Sequence, residues 1–345
     1  MPPLVLERRH TFSPKNPFFQ HAGWQCWLAY DGTTAVGRIS AQVDRMYQER
    51  YQEPVAFFGL LEAEESPDIF RALLHEAEEW VRSQGMNKIR GPFNLSINQE
   101  CGLLVEGFDS PPMIMMGHAL PYYEQGLTDN QYDKAKDLLA FRIGIDFSFP
   151  SGVVGFLKKA KGSMHIRSLR RDKFQEDLSI IKDIFEEAWS DNWGFLPFTE
   201  AEFSEIGQQL KLFVEDDFVQ IAEIDGQPVA MLVAFPNIHE VIKDLNGRLF
   251  PLGWLKVLWR LKWSHPRTGR VALMGVRKRY QSSPMGAAMA YGLIEAVRVA
   301  GLRKGIEEVE LSWILEDNKQ MCHILESLGA EPYKTYRIFE KDLST

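Results

Sequence analysis

The chain has 345 residues, 45% of them apolar and 25% charged, with a formal net charge of −8. That length and composition suit two soluble domains with real cores, and the acidic balance argues against wholesale nucleic-acid binding. Three cysteines, Cys26, Cys101 and Cys322, show neither metal-ligand spacing nor a disulfide framework, which fits a reducing cytoplasm.

Taken in order, residues 1–20 are aromatic and Pro-rich without a period and read as an irregular arm, with no sustained apolar core of a secretion signal. No run approaches the ~20 apolar residues of a membrane span. Residues 24–30 and 34–41 flank Asp31-Gly32, a hairpin signal because the turn needs positive φ. An acidic, aromatic link leads to a strand at 55–61. Ser66-Pro67 opens a helix carrying Ile69, Leu73, Ala77, Trp80 and Val81, which stops at Gly85, and residues 88–93 form a short strand. Residues 91–123 then mix amides, acids and loop formers without a helix or strand period. A long ordered loop of this kind is commonly functional. Asn94, Asn98, Glu100, Asp109 and His118 are its polar groups.

Pro, Gly and Lys cluster at 149–163, which predicts a domain boundary, with one domain at 1–150 and a second at 151–345. Beyond it, residues 165–169 read as a strand, 174–189 and 200–214 as helices, and 218–224 with 228–235 as a hairpin around Asp225-Gly226. Hairpin, strand, helix, strand is the order of both halves, so the chain reads as two copies of one α/β fold with mixed sheets. In the first copy, residues 62–65 place Glu62, Glu64 and Glu65 where a phosphate-binding loop would lie. Those carboxylates would repel a pyrophosphate.

Residues 243–279 carry ten Lys or Arg against one acid, Asp244, so this segment is +9 and the remainder −17. Within it, residues 249–263 read as an aromatic helix with Lys256 and Arg260 as a narrow cationic stripe at i, i+4. Trp254, Trp259 and Trp263 among leucines fit a membrane-interface segment too short to span a bilayer. The same pattern also fits a helix packed against its own domain or, third, a stacking platform for single-stranded RNA.

Next comes the stretch on which the reading turns. Residues 271–276 are a short apolar strand, Arg277, Lys278 and Arg279 follow, and Gln281-Ser-Ser-Pro284-Met-Gly286 leads into a helix with Met289, Leu293 and Val297, ending at Gly301. A strand that feeds a helix through a tight loop is an anion site, because the first helical N–H groups lack partners and the peptide dipoles add to them. Residues 308–315 form another strand, Asn318 opens a helix that closes at Gly329, and 333–339 form a final strand.

This arrangement resembles the acyl-CoA signature of the GNAT superfamily of N-acyltransferases, Gln/Arg-x-x-Gly-x-Gly/Ala, with Gln281, Pro284 and Gly286 at its marked positions. Pro284 departs from the pattern by offering no amide, although Pro suits a first helical turn. Asn318 with Gly329 eleven residues on is similar to the second block of the superfamily. The resemblance implies two tandem GNAT-like domains, each a central mixed sheet flanked by helices, that use acyl-CoA or acetyl-CoA as a substrate and no metal. It implies that the backbone at Met274, Gly275 and Val276 holds the thioester, and that Gln281, Ser282, Ser283, Met285, Gly286 and Asn318 complete the acyl-CoA site. The family's Tyr acid, seven residues after the Asn, is Leu325 here. Tyr122, Tyr123, Tyr333 or Tyr336 would have to substitute, and Tyr123 is taken as the candidate. Glu100, Asp109 and His118 are candidate bases or acceptor groups, and Asn94, Asn98, Asn192 and Trp193 candidate acceptor contacts. Each is equally a loop or turn hydrogen bonder. His75 with Glu79 reads as an exposed helix pair, and Cys322-His323 as no dyad, since adjacent helical residues diverge.

More specifically, Gly91-Pro-Phe-Asn94, Glu100-Cys-Gly-Leu-Leu-Val-Glu-Gly-Phe-Asp109, Pro121-Tyr-Tyr, Lys134-Ala-Lys-Asp and Ala188-Trp-Ser-Asp-Asn-Trp-Gly194 are similar to the twin-domain GNAT-like group that contains bacterial ceramide synthases. That likeness implies N-acylation of a long-chain amine from an acyl-thioester, while the cysteines and the Trp-rich segment 249–263 add the expectation of a cytoplasmic protein peripheral on the inner membrane face. The alternatives are a tRNA-dependent aminoacyl ligase of the same architecture and a catalytically silent acyl-CoA or lipid binder.

Overall fold

The computed structural model describes residues 3–160, 162–211, 214–263 and 266–344. The chain forms two compact units. The N-terminal unit holds Pro14–Ala140 with Ile314–Asp317 and Pro332–Thr345, and the C-terminal unit holds Met1–Ser13, Phe141–Trp313 and Asn318–Glu331.

In chain order the first elements are α1 (Val5–Thr11), β1 (Ala22–Asp31), β2 (Thr34–Asp44), α2 (Arg45–Tyr51), β3 (Val55–Ala63) and α3 (Pro67–Ser83). There follow β4 (Lys88–Gly91), β5 (Phe93–Asn94), β6 (Glu100–Cys101), β7 (Leu103–Glu106), α4 (Tyr122–Thr128), β8 (Asp133–Gly144) and α5 (Ser151–Ala160). Next are β9 (His165–Ser168), α6 (Phe174–Trp189), α7 (Glu200–Leu210), β10 (Val219–Ile224), β11 (Gln227–Pro236), α8 (Ile238–Ile242) and α9 (Gly253–Trp263). The chain ends with β12 (Thr268–Val276), α10 (Pro284–Lys304), β13 (Glu308–Leu315), α11 (Lys319–Ser327) and β14 (Glu331–Asp342).

In the N-terminal unit the β1–β2 hairpin closes on the pair Asp31↔Thr34, β2 runs antiparallel to β3, and β3 runs parallel to β4. The late strand β14 pairs antiparallel with both β4 and β7. Helix α3 buries Leu73, Ala77 and Val81 of the expected apolar residues and adds Phe70 and Leu74, while Ile69 and Trp80 are only half-buried. Two short helices replace expected irregular chain. Seven residues of α1 stand in the expected arm, and seven of α2 in the expected link, where Met46 N–H donates to the Asp44 carboxylate at 2.9 Å as an N-cap. Two turns show too little periodicity to be read from sequence. For the same reason the stretch 91–123, expected without regular structure, holds β5, β6, β7 and the start of α4.

In the C-terminal unit β9, β10, β11 and β12 pair antiparallel in turn, and β13 joins β12 in parallel. The β10–β11 hairpin turns at Asp225 and Gly226, both at positive φ. Helix α5 occupies the stretch expected as a linker. Helix α7 ends at Leu210, and Leu212 and Phe213, within the expected helix, lie outside the described residues. Helix α10 continues past Gly301 to a left-handed C-cap at Gly305. Gly301 is needed for packing instead: a Cβ there would sit 2.3 Å from Ile145 Cδ1. Contrary to the expectation of no such run, α10 is long and apolar enough by composition to cross a bilayer, but 56% of its apolar window is buried, as in a core helix.

Candidate active site

The parallel ladder between β12 and β13 stops early. It pairs Thr268↔Glu308 through Val271↔Leu311 and goes no further. Residues 273–276 stay paired to β11 alone, and Ala272, Leu273, Met274 and Val276 remain partly exposed. Arg277 N–H donates to Val229 O at 2.9 Å, continuing the β11–β12 register. Because antiparallel bonding alternates, the odd residues 273, 275 and 277 bond to β11, and the backbone groups of Met274 and Val276 face the opening. Side chains meet two of them there. Trp189 Nε1 donates to Met274 O at 3.1 Å, and Gln281 Nε2 to Val276 O at 2.8 Å. Their N–H groups point the same way and suit a carbonyl acceptor in an extended ligand. Trp313 lies edge-on to Trp189 at 5.8 Å between ring centroids. Trp189 and Trp313 escaped the sequence reading. The Trp in Ala188-Trp-Ser was the available signal, but it reads as the last turn of an amphipathic helix.

Beyond the strand, Ser282 takes a left-handed φ of 58°, and Ser283 caps α10 by accepting from Gly286 N–H at 3.0 Å. The Ser283 hydroxyl donates in turn to Tyr280 O at 2.6 Å. A Cβ at Gly286 would lie 2.2 Å from that same Tyr280 oxygen, so the glycine is required by the loop whatever binds there. Pro284 has no N–H, which leaves Met285 as the first-turn amide with no intrahelical or capping partner. Of the three cations that follow the strand, two are engaged by acids. Arg277 pairs with Asp183 and Glu187, and Lys278 with Asp191, all acids on or just after α6. Sequence periodicity places those acids on a solvated helix face and cannot reveal that β12 ends against it. Arg279, exposed and stacked over the Tyr280 ring at 4.9 Å, is the remaining cation of the three.

Asn318 is the N-cap of α11 and accepts from Met321 N–H at 3.2 Å, and Leu325 is buried at 1% exposure. Asn192 sits in the turn that ends α6, with its N–H on Trp189 O at 2.8 Å and its carbonyl accepting from Phe195 at 3.2 Å. Trp193 is half-buried beside it in the same turn.

The N-terminal unit repeats the design with a different outcome. Its β3–β4 ladder also stops early, at Phe57↔Arg90. Here the chain's own β5 enters the space. Leu60 N–H donates to Asn94 Oδ1 at 2.8 Å, Asn94 Nδ2 donates to Glu100 at 2.9 Å, and Gln42 Nε2 donates to Phe93 O at 2.8 Å. Asn94 and Glu100, expected as an acceptor contact and a base, are therefore bonded to each other in a clasp that fills the opening. Asn98 is half-buried with its N–H on Ser96 Oγ at 3.2 Å, and Asp109 is exposed. The Tyr123 hydroxyl is buried, accepting from Ala63 N–H at 3.0 Å and donating toward Glu62 at 3.1 Å. Burial above all drives its pKa far above the ordinary phenol value. His118 lies on irregular chain. Desolvation, then the nearby Lys334 ammonium, lowers its imidazole pKa below 6.5.

Among known proteins, the chain is 48% identical to Protein YghO of Escherichia coli (strain K12), over 99% of this chain and 88% of that one. It is 41% identical to the bacterial ceramide synthase of Caulobacter vibrioides, over 99% of this chain and 90% of that protein. No family model matches it. Among solved structures it resembles a tandem GNAT protein from the clavulanic acid biosynthesis pathway, with TM-score 0.55, 12% identity and coverage of 98% and 86% of the two chains. A GCN5-related N-acetyltransferase from Sphaerobacter thermophilus is similar at TM-score 0.53 and 12% identity, covering 98% and 84%. With two splayed β-α-β cores in one chain and these full-length relatives, the chain belongs to the tandem GNAT-fold family that includes Protein YghO and the bacterial ceramide synthase.

Proposed function

We propose that this protein is an N-acyltransferase that moves an acyl group from acyl-CoA directly to a long-chain, sphingoid-type amine. The observation that carries this reading is the open edge of β12, where Met274 and Val276 present backbone groups beside the start of α10. Their N–H groups would polarise the thioester carbonyl and hold the oxyanion that forms on attack. The Met285 amide, the α10 dipole and Arg279 would receive the pyrophosphate. In the transfer, a bond forms from the amine nitrogen to the carbonyl carbon, the carbon–sulfur bond breaks, and one amine proton leaves as the thiolate is released. We propose His118, a candidate base by its imidazole chemistry, as the acceptor of that proton. The name of the 41% identical relative supports the lipid amine, and the exposed apolar side chains of Phe250, Leu252, Trp254, Leu255, Leu258 and Trp259, on α9 and just before it, support its delivery from the inner face of a membrane. Glu100 we assign to holding Asn94.

A second reading, a silent acyl-CoA or lipid binder, is favoured by buried Leu325 at the usual acid position and by the ion-paired Arg277 and Lys278. One experiment separates the two. Purified protein is incubated with a long-chain acyl-CoA and either a sphingoid base or a water-soluble short amine, and the amide is read by mass spectrometry. Amide from the sphingoid base alone supports the proposal, amide from the short amine alone overturns the lipid acceptor, and retained acyl-CoA without amide selects the silent binder.

A further inference from the structure

Helix α1 buries none of its residues, and Val5 and Leu6 are each 47% exposed. It is nonetheless fixed in place, because Val5 N–H donates to Gly247 O at 3.0 Å in the turn between α8 and α9. From that turn the chain runs into Phe250 and Leu252, both 68% exposed, and then into α9, where Trp254, Leu255, Leu258 and Trp259 face solvent. Eight of the fourteen large exposed apolar side chains among the described residues therefore lie on α1, α9 and the turn that joins them. Patches of this kind mark interaction sites.

The polar side of α9 explains its orientation. Lys256 and Arg260, the expected cationic stripe, both pair with Asp244, and Arg260 also donates to Val241 O at 2.6 Å. These bonds tie the cations to the α8–α9 turn, beside the apolar side chains that face solvent. Trp254 satisfies its own indole N–H on Pro251 O at 3.0 Å, so the ring can leave water without losing a hydrogen bond. Trp263 belongs to the same helix, but its side chain lies outside the described residues. Exposed Arg9 on α1, with exposed Lys243 and Arg248 on either side of Gly247, supply positive charge next to the apolar face.

We infer that α1 and α9 form one composite docking face for an anionic lipid surface, into which Val5, Leu6, Phe250, Leu252, Leu255, Leu258 and Trp259 insert while Arg9, Lys243 and Arg248 meet the headgroups. Aromatic and aliphatic side chains flanked by cations fit the headgroup boundary, where apolar burial and charge attraction act together. This deepens the lipid-amine reading above and rests on it for its purpose, but not for its geometry.

The test is co-sedimentation of the full chain with vesicles of phosphatidylcholine alone or mixed with phosphatidylglycerol, at low and high salt. Wild type should bind the mixed vesicles and weaken with salt. Val5→Gln with Leu6→Gln, and separately Leu255→Gln with Leu258→Gln and Trp259→Gln, should each lower the partition coefficient at least about tenfold. Arg9→Gln with Lys243→Gln and Arg248→Gln should remove the preference for phosphatidylglycerol. All these positions are exposed, and circular dichroism confirms folding. Wild-type binding from an α1 variant overturns the composite face, as does a wild type that ignores both vesicle types. So does a concentration-dependent dimer that the α9 variant dissolves, since the occupant is then a second copy. Acyl transfer to a sphingoid base in detergent micelles is measured alongside. Vesicle binding without transfer rejects the proposed reaction and leaves the docking face standing.

Discussion

A carboxylate placed in the first turn of α10 would separate helix stability from anion binding. Met285 is partly exposed at the second position of the helix, whose first turn carries no acid, so Met285→Glu requires no repacking. Toward the helix the new charge is favourable, by about 0.3–1 kcal/mol through the dipole and the first-turn amides. Toward a pyrophosphate seated on those amides it is unfavourable. At ~6 Å and an effective dielectric of about 40–80, each phosphate charge meets about 0.7–1.4 kcal/mol of repulsion. Two charges give about 1.5–3 kcal/mol, which is a rise in Kd of about ten- to a hundredfold. Calorimetry with CoA at low and high salt, alongside a thermal melt, reads both effects, with Met285→Gln as the neutral control. The expected result is weaker CoA binding, partly restored by salt, in a protein whose Tm is unchanged or higher. Unchanged affinity at low salt would refute the assignment of the anion to this turn. A Gly286 substitution is a poorer probe, because a Cβ 2.2 Å from Tyr280 O disturbs the loop in any case.

If His118 accepts the amine proton, kcat/KM should fall on acidification, with a midpoint below the ordinary imidazole value of 6.5, and His118→Ala should remove that limb from the pH profile. The same depressed pKa makes the unfolded chain bind its proton more readily, so stability should decline as pH falls through about 6.5, measured as urea midpoints. Trp189→Phe deletes the donor to Met274 O at a half-exposed edge. Urea denaturation should show a loss of about 1 kcal/mol or less, whereas transfer should fall about tenfold or more, because misplacement near reacting atoms is costly. Asp177 is fully buried: burial raises its pKa, but hydrogen bonds from Arg170 and Arg167 outweigh that and hold it low. Asp177→Asn should destabilise by about 1.5–3 kcal/mol by weakening its charge-assisted hydrogen bonds, while Arg167 keeps Glu223 and Arg170 keeps Glu176. In the wild type this contribution is complete above the ordinary carboxylate range and lost as pH falls below 3.8 toward the depressed value.

What could be read in advance followed from periodicity and turn chemistry. Helix α6 was expected at its observed bounds because four turns of amphipathic spacing leave little ambiguity, and the start of α10 at Pro284 follows from Ser283-Pro284 as a cap and first turn. Unread features depend on contacts distant in sequence. Nothing near Arg277 and Lys278 announces that Asp183, Glu187 and Asp191 will neutralise them from about ninety residues away. Likewise Asn94 and Glu100 are polar residues in a loop-like stretch, a pattern shared by catalytic loops and structural clasps. Only the early end of the β3–β4 ladder shows what Asn94 is bonded to. The opening at β12 is equally invisible in the sequence, since residues 272–276 look like any buried strand until the ladder to β13 stops at Val271.

Strand β14 also bears on how the chain comes off the ribosome. Residues 88–91 are made early, yet their partners in the ladder, Phe339 to Asp342, are made some 250 residues later. Until then the N-terminal unit must wait with one side of β4 unsatisfied, an edge to which other nascent chains could add. A cut within 149–163, where sequence suggested a boundary, would make that wait permanent for a fragment of residues 1–150. Such a fragment should accumulate as aggregates, and a peptide spanning 331–345, supplied in trans, should recover soluble material by taking the vacant position beside β4.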